Sequence, residues 1–166
     1  IFLGIFWLPA LRALGKQWMT FLMAVTVGLL IFLGLDTLLE ALEQAAEVPS
    51  TYQGIGLIGI GAVATYMLLE MIGGSKSSDR SESSQRLNIA WRIALGIGIH
   101  NLGEGLAIGA AYNVGEIALG TFLVVGFIIQ NITEGLGIIA PILRDRPNIR
   151  QLALLGLLGG APAIVG

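Results

Sequence analysis

Cysteine is missing from all 166 residues, which excludes disulfides and thiolate metal ligands together. Charge is scarce: Asp, Glu, Lys and Arg make up 12% of the chain, against roughly a quarter in ordinary soluble domains. Histidine occurs once, as His100. No H-E-x-x-H pair, serine nucleophile arrangement or acid dyad is present, so no enzyme is expected. No nucleic-acid partner and no prosthetic group are expected. The first residues are apolar but lack a basic start and a small-residue cleavage site, so no signal peptide is read there.

What is abundant is apolar surface, at 55% of residues with a mean hydropathy of +0.83. A lipid-facing exterior accounts for both values. Segments around 17–42, 51–73, 87–111 and 115–142 are each about 20 residues or longer, enough to cross a ~30 Å hydrocarbon core. Partial spans flank them at 1–11 and 150–166. The expected fold is an all-α, polytopic transmembrane helix bundle with about six spans at least partly represented, forming one transmembrane domain over 1–166. The residues start without Met and stop in an apolar run at Gly166, so a further terminal helix or two is expected beyond them. The 24 glycines suit close helix approach in lipid, where tails offer no better packing. Their small-residue faces permit a homodimer without requiring one.

The nine basic residues fall into three clusters: Arg12 and Lys16; Lys76, Arg80, Arg86 and Arg92; then Arg144, Arg146 and Arg150. The intervening links carry Glu43, Glu47 and Glu116 instead. Basic and non-basic connections therefore alternate, which places the basic loops in the cytoplasm. The short loops suit a bacterial inner membrane. The Ser-rich stretch at about 73–85 reads as a flexible cytoplasmic connector. Pro49, Pro141 and Pro147 mark helix ends. The turn Tyr112-Asn113-Val114-Gly115 joins two antiparallel helices.

Against this apolar background, polar residues concentrate in two helices, where an ionisable side chain at bilayer depth costs several kcal/mol (a contested ~3 or more) unless it faces a cavity or a partner. His100-Asn101-Leu102-Gly103-Glu104-Gly105-Leu106 and Gln130-Asn131-Ile132-Thr133-Glu134-Gly135-Leu136 share the pattern [HQ]-N-x-x-E-G-L. Positions i and i+4 stack on one helix face, and i+1 is displaced by about 100°. Two antiparallel neighbours bearing this motif bring His100, Glu104, Gln130 and Glu134 toward one point near the midplane, with Asn101 and Asn131 beside it. One imidazole, two carboxylates and amide oxygens suit a divalent cation. The bland alternative is interhelical hydrogen-bonding glue, which is what an isolated intramembrane Asn or Gln usually provides. Asp36 and Glu40, also spaced i, i+4, line a cation entrance or are ordinary solvated residues at a helix end. Glu70 lies near the basic loop, where an ion pair is as good a reading as a pathway role.

These motifs resemble the ZIP divalent-metal transporters, whose fourth helix typically reads H-N-x-P-E-G and whose fifth reads [HQ]-[ND]-x-P-E-G. Leu38-Leu39-Glu40-Ala41-Leu42 looks like the L-P-E-A-L end of that family's second helix, and the Ser-rich loop sits where the family has a variable cytoplasmic loop, often His-rich. The resemblance implies that these residues run from the end of helix one into helix six of an eight-helix fold. It implies metal uptake toward the cytoplasm, with His100, Glu104, Gln130 and Glu134 in a main site. Asn101 and Asn131 would join Glu104 and Glu134 in an adjacent second site. Three features depart from the pattern. Gly103 and Thr133 replace the usual prolines, so a kink there must come from the adjoining glycines. Ala161 stands where some members have a bridging Glu, and the loop has no His.

The expected function is therefore transport of a divalent ion, Zn²⁺ first by family analogy, with Cd²⁺, Fe²⁺ and Mn²⁺ also suited to nitrogen and oxygen ligands. Its partners are that ion and the lipid bilayer. A proton or monovalent-cation carrier, or a non-transporting membrane scaffold, remains open as an alternative.

Overall fold

The computed structural model describes residues 1–73 and 81–166. Regular structure among the described residues is all helical: α1 Phe2–Phe6, α2 Leu8–Arg12, α3 Lys16–Glu47, α4 Gly54–Gly73, α5 Glu82–Asn113, α6 Ile117–Ile139, α7 Ile149–Gly160 and α8 Pro162–Val165, with short 3-10 turns at Ser50–Tyr52 and Ala140–Ile142. By length and composition, three stretches of the described residues qualify as membrane spans: Ser50–Met71, Glu82–Asn113 and Ile117–Ile142. At a rise of ~1.5 Å per residue, the 32-residue α3 is long enough as well. No residue in the most apolar window of the Ser50–Met71 span is fully buried, and most of its side chains are exposed, as suits a lipid-facing helix.

Local chemistry places the helix ends. α3 runs past residue 42 to Glu47, so Glu43 and Glu47, expected on a connecting link, are exposed on its last turns. The run Glu-Ala-Leu-Glu-Gln-Ala-Ala-Glu is rich in good helix formers, and the helix stops only at Val48, extended at ψ 131 because Pro49 follows. α5 likewise begins earlier than expected, inside the stretch read as a connector. The Ser81 hydroxyl accepts from the Ser84 amide at 3.4 Å and Glu82 occupies the first turn, two features that favour a helix start. The remainder of that connector, 74–80, lies outside the described residues.

The α5–α6 hairpin turns at Gly115, whose φ of +83 is open to glycine at little cost. Its register is held by Tyr112. That ring lies where a Cβ on Gly120 would come within 2.9 Å, and the hydroxyl is 3.4 Å from Thr121 Oγ1. α7 and α8 pack along the other side of α5. A Cβ on Gly98 would run into the Leu158 carbonyl oxygen, and one on Gly105 into that of Ala163, so both glycines are needed for this approach. α1 meets α6 in the same way at Gly4 and Gly135.

The hydrophobic core sits toward one end of the bundle, built from Ile5, Leu8 and Leu11, Ala90, Ala94 and Ile97, Ile138, Ile139, Ile142 and Leu143, and Leu155. It binds α1, α2, the first half of α5, the end of α6 and α7 into one unit and leaves α3 and α4 largely exposed. An ionic clasp closes that end. Arg86 at the start of α5 donates to both carboxylate oxygens of Asp145, at 2.9 and 2.8 Å, and to Glu82 at 3.2 Å, while Arg12 donates to the carbonyls of Leu143 and Asp145. Glu70 on α4 pairs with Arg92 on α5, so of the two readings for Glu70 the ion pair is the one observed.

Candidate metal centre

α5 presents His100 and Glu104 one turn apart, and the hairpin register sets Gln130 and Glu134 of α6 against them. His100 Nε2 lies 3.4 Å from Glu104 Oε1 and 4.0 Å from Glu134 Oε1. Ligand atoms of His100, Glu104 and Glu134 all fall within 4.8 Å of one another. A tetrahedral ion with bonds of ~2.0–2.2 Å holds its ligands roughly 3.3–3.6 Å apart, so a shift of about an ångström or less brings these three to bonding distance. Gln130 Nε2 is 3.1 Å from His100 Nε2 and donates to Glu134 Oε1 at 3.3 Å.

The asparagines tie the helices together. Asn101 is fully buried; its Nδ2 donates to Asn131 Oδ1 at 3.2 Å and to the Gly159 carbonyl of α7 at 2.8 Å. Asn131 Nδ2 donates to Glu104 Oε2 at 3.2 Å and to the Phe127 carbonyl at 2.9 Å. Gly159 was not anticipated from sequence, because a backbone carbonyl leaves no residue-type signal.

Buried oxygens in this cluster outnumber the donors that reach them. Asn101 Oδ1, Glu104 Oε1 and Glu134 Oε2 receive no hydrogen bond among the described residues, although Glu104 and Glu134 are only 6% and 2% exposed. Buried acceptors without donors are costly, and two adjacent carboxylates in a low-dielectric interior are more so. These three oxygens leave room for a cation to supply the missing positive charge.

Asp36 and Glu40 are exposed on α3, yet they line a cavity of about 240 Å³ that also contacts His100, Glu104 and Gln130. α5 continues as helix through Gly103 and α6 through Thr133, where the family pattern has proline. With proline replaced, each backbone amide is free to complete its ladder. The Thr133 hydroxyl donates to the Gln130 carbonyl at 2.7 Å, adding a bond on the same turn.

Apolar spanning helices packed around two buried carboxylates and a half-buried imidazole define an all-α integral membrane protein. Residues 72–166 match the family described as ZIP zinc transporter, and the chain belongs to that family. Among curated proteins of Homo sapiens, it is 34% identical to zinc transporter ZIP10 over 79 residues, 48% of this chain and 9% of that protein. It is 32% identical to zinc transporter ZIP6 over 78 residues, covering 47% of this chain and 10% of that protein. Identity to zinc transporter ZIP5 is 37% over 79 residues, again 48% of this chain and 14% of the relative. The aligned part thus amounts to about a tenth of the length of these relatives. No solved structure matches the chain.

Proposed function

We propose that this chain carries the ion pathway of a divalent-metal transporter, with Zn²⁺ as its leading substrate and uptake directed toward the cytoplasm. The observation that supports it most is the set of buried oxygens left without donors beside His100 Nε2. His100, Glu104 and Glu134 are the primary ligands, and Gln130 joins them once its amide turns its oxygen inward. The second site would draw on Glu104, Glu134, Asn101 and Asn131. Ala161 offers it no side-chain oxygen, so occupancy by one ion at a time is the simpler arrangement.

An ion reaching the cavity meets Asp36 and Glu40 first, where negative charge raises its local concentration. It then exchanges water for protein ligands, and the two carboxylates neutralise its charge in low dielectric. Zn²⁺ binds deprotonated ligands, so protons compete with it at His100 and both glutamates. The basic connections face the cytoplasm by the alternation of charge, as in a bacterial inner membrane.

Uptake into proteoliposomes tests this reading, comparing the native chain with Glu104→Ala and Glu134→Ala across Zn²⁺, Cd²⁺, Mn²⁺ and Fe²⁺. Saturable flux lost in both variants supports the site and ranks the metals. Equal flux in all three proteins would leave the motifs as interhelical glue. Flux that follows Na⁺ or protons without a divalent ion would favour the monovalent carrier.

A further inference from the structure

The end of the bundle opposite the proposed entrance carries a second, differently built cavity, of about 280 Å³, bounded by Arg12, Leu143, Arg144, Asp145 and Arg146. Three of its five lining residues are arginines, and its one acid is already engaged. Arg86 holds both Asp145 oxygens, at 2.8 and 2.9 Å, and keeps that carboxyl below its ordinary range of protonation. Arg12 is pinned from within, donating to the Leu143 and Asp145 carbonyls. Arg144 and Arg146 are exposed and have no ion-pair partner among the described residues. The neighbouring start of α7 is not a rival donor, because Asn148 and Gln151 close a capping box over it. Two guanidinium groups without an ion-pair partner among the described residues thus stand at a pocket whose walls are fixed by other bonds.

Position says what such a pocket meets. Arg144 and Arg146 follow within four residues of the Ile117–Ile142 span, at the depth of lipid headgroups. Trp7 and Trp18, 57% and 62% exposed, flank Arg12 and Lys16 at the same end, as aromatic side chains do at a membrane boundary. The first turns of α3 also expose Phe21 beside Trp18, an apolar surface for acyl chains. Guanidinium forks match phosphate oxygens in pairs, and basic pockets beside spans attract anionic headgroups.

We propose that Arg144 and Arg146, against the wall formed by Arg12, Leu143 and the clasped Asp145, make a binding site for the headgroup phosphate of an acidic phospholipid. The inference does not depend on the transport reading. It rests on a different cavity and different residues.

The test uses the full-length protein in detergent, titrated with phosphatidylglycerol or phosphatidylcholine and read by native mass spectrometry. Retention of phosphatidylglycerol over phosphatidylcholine is expected, and Arg144→Gln/Arg146→Gln should weaken it by about thirtyfold, the loss of two basic contacts near a membrane surface. Arg150→Gln, which changes the same net charge locale but lies outside the pocket lining, should leave retention unchanged. Circular dichroism confirms that each variant keeps its helices. Undiminished retention in the double variant overturns the proposal, as does an equal loss in Arg150→Gln, which would signal bulk charge. Displacement of the lipid by inorganic phosphate at equal concentration would also overturn it, by assigning the pocket to a soluble anion.

Discussion

Asn131 on α6 donates to Glu104 on α5 at 3.2 Å, so the second motif orients a carboxylate of the first. Asn101 reciprocates through Asn131 Oδ1 at 3.2 Å. The paired asparagines therefore serve two purposes: they bridge the helices and they orient Glu104. Removing an outer partner of a metal ligand typically lowers affinity by about 10–100-fold. Asn131→Ala should weaken Zn²⁺ binding by that factor in isothermal titration calorimetry while the helical content stays constant. Unchanged affinity would show that Glu104 is held by other means.

Asp36 and Glu40 share a cavity with His100 and Glu104 without belonging to the ligand cluster itself. Asp36→Asn/Glu40→Gln should raise the KM for Zn²⁺ uptake by about tenfold at low ionic strength through lost electrostatic attraction, and leave kcat in place. Added salt should erase the difference. A fall in kcat with KM unchanged would move these residues from entrance to transport step.

Helix approach at Gly98 and Gly105 makes a sterically specific prediction. Ala at either position places a methyl against the carbonyl of Leu158 or Ala163, and forced repacking of this kind costs about 1–3 kcal/mol. Thermal unfolding in detergent should show a lower Tm for both. Gly96→Ala, with nothing within 4 Å of the added carbon, is the matched control and should unfold as the native protein does. The Asn101 bond to the Gly159 carbonyl depends on the same contact, so Gly98→Ala should also weaken metal binding.

The Arg86–Asp145 clasp ties the start of α5 to the α6–α7 connection, and the hydrogen bonds from Arg86 are the main cause holding Asp145 below its ordinary protonation range. A carboxyl with a lowered folded-state pKa contributes stability above its unfolded value of about 3.9 and loses it as pH falls through the folded value. Asp145→Asn should therefore have a lower Tm than the native chain at neutral pH. Below about pH 4 the two melting curves should converge. A constant gap across that range would show that shape, rather than charge, is what Asp145 supplies.

Hydropathy and spacing sufficed for three apolar spans and the antiparallel hairpin, and they singled out the two polar motifs that the hairpin brings together, because each is a local or periodic property of the chain. Continuous apolar runs of bilayer length are read directly, and an i, i+4 pair shares a helix face wherever the helix goes. Pro49 marked the end of its helix, whereas the start of α5 after Ser81 fell inside the stretch read as a connector, because α3 and α5 extend beyond the apolar runs into polar helix formers. What composition and period leave open is which long-range partners meet. Arg86 and Asp145 are 59 positions apart, and Asn101 finds an acceptor in the Gly159 backbone 58 positions away. Such pairings depend on where Gly98 and Gly105 let α7 and α8 approach α5, a matter of steric fit between surfaces distant in the chain. Only the packed structure decides that, and with it which buried oxygens are left without a donor.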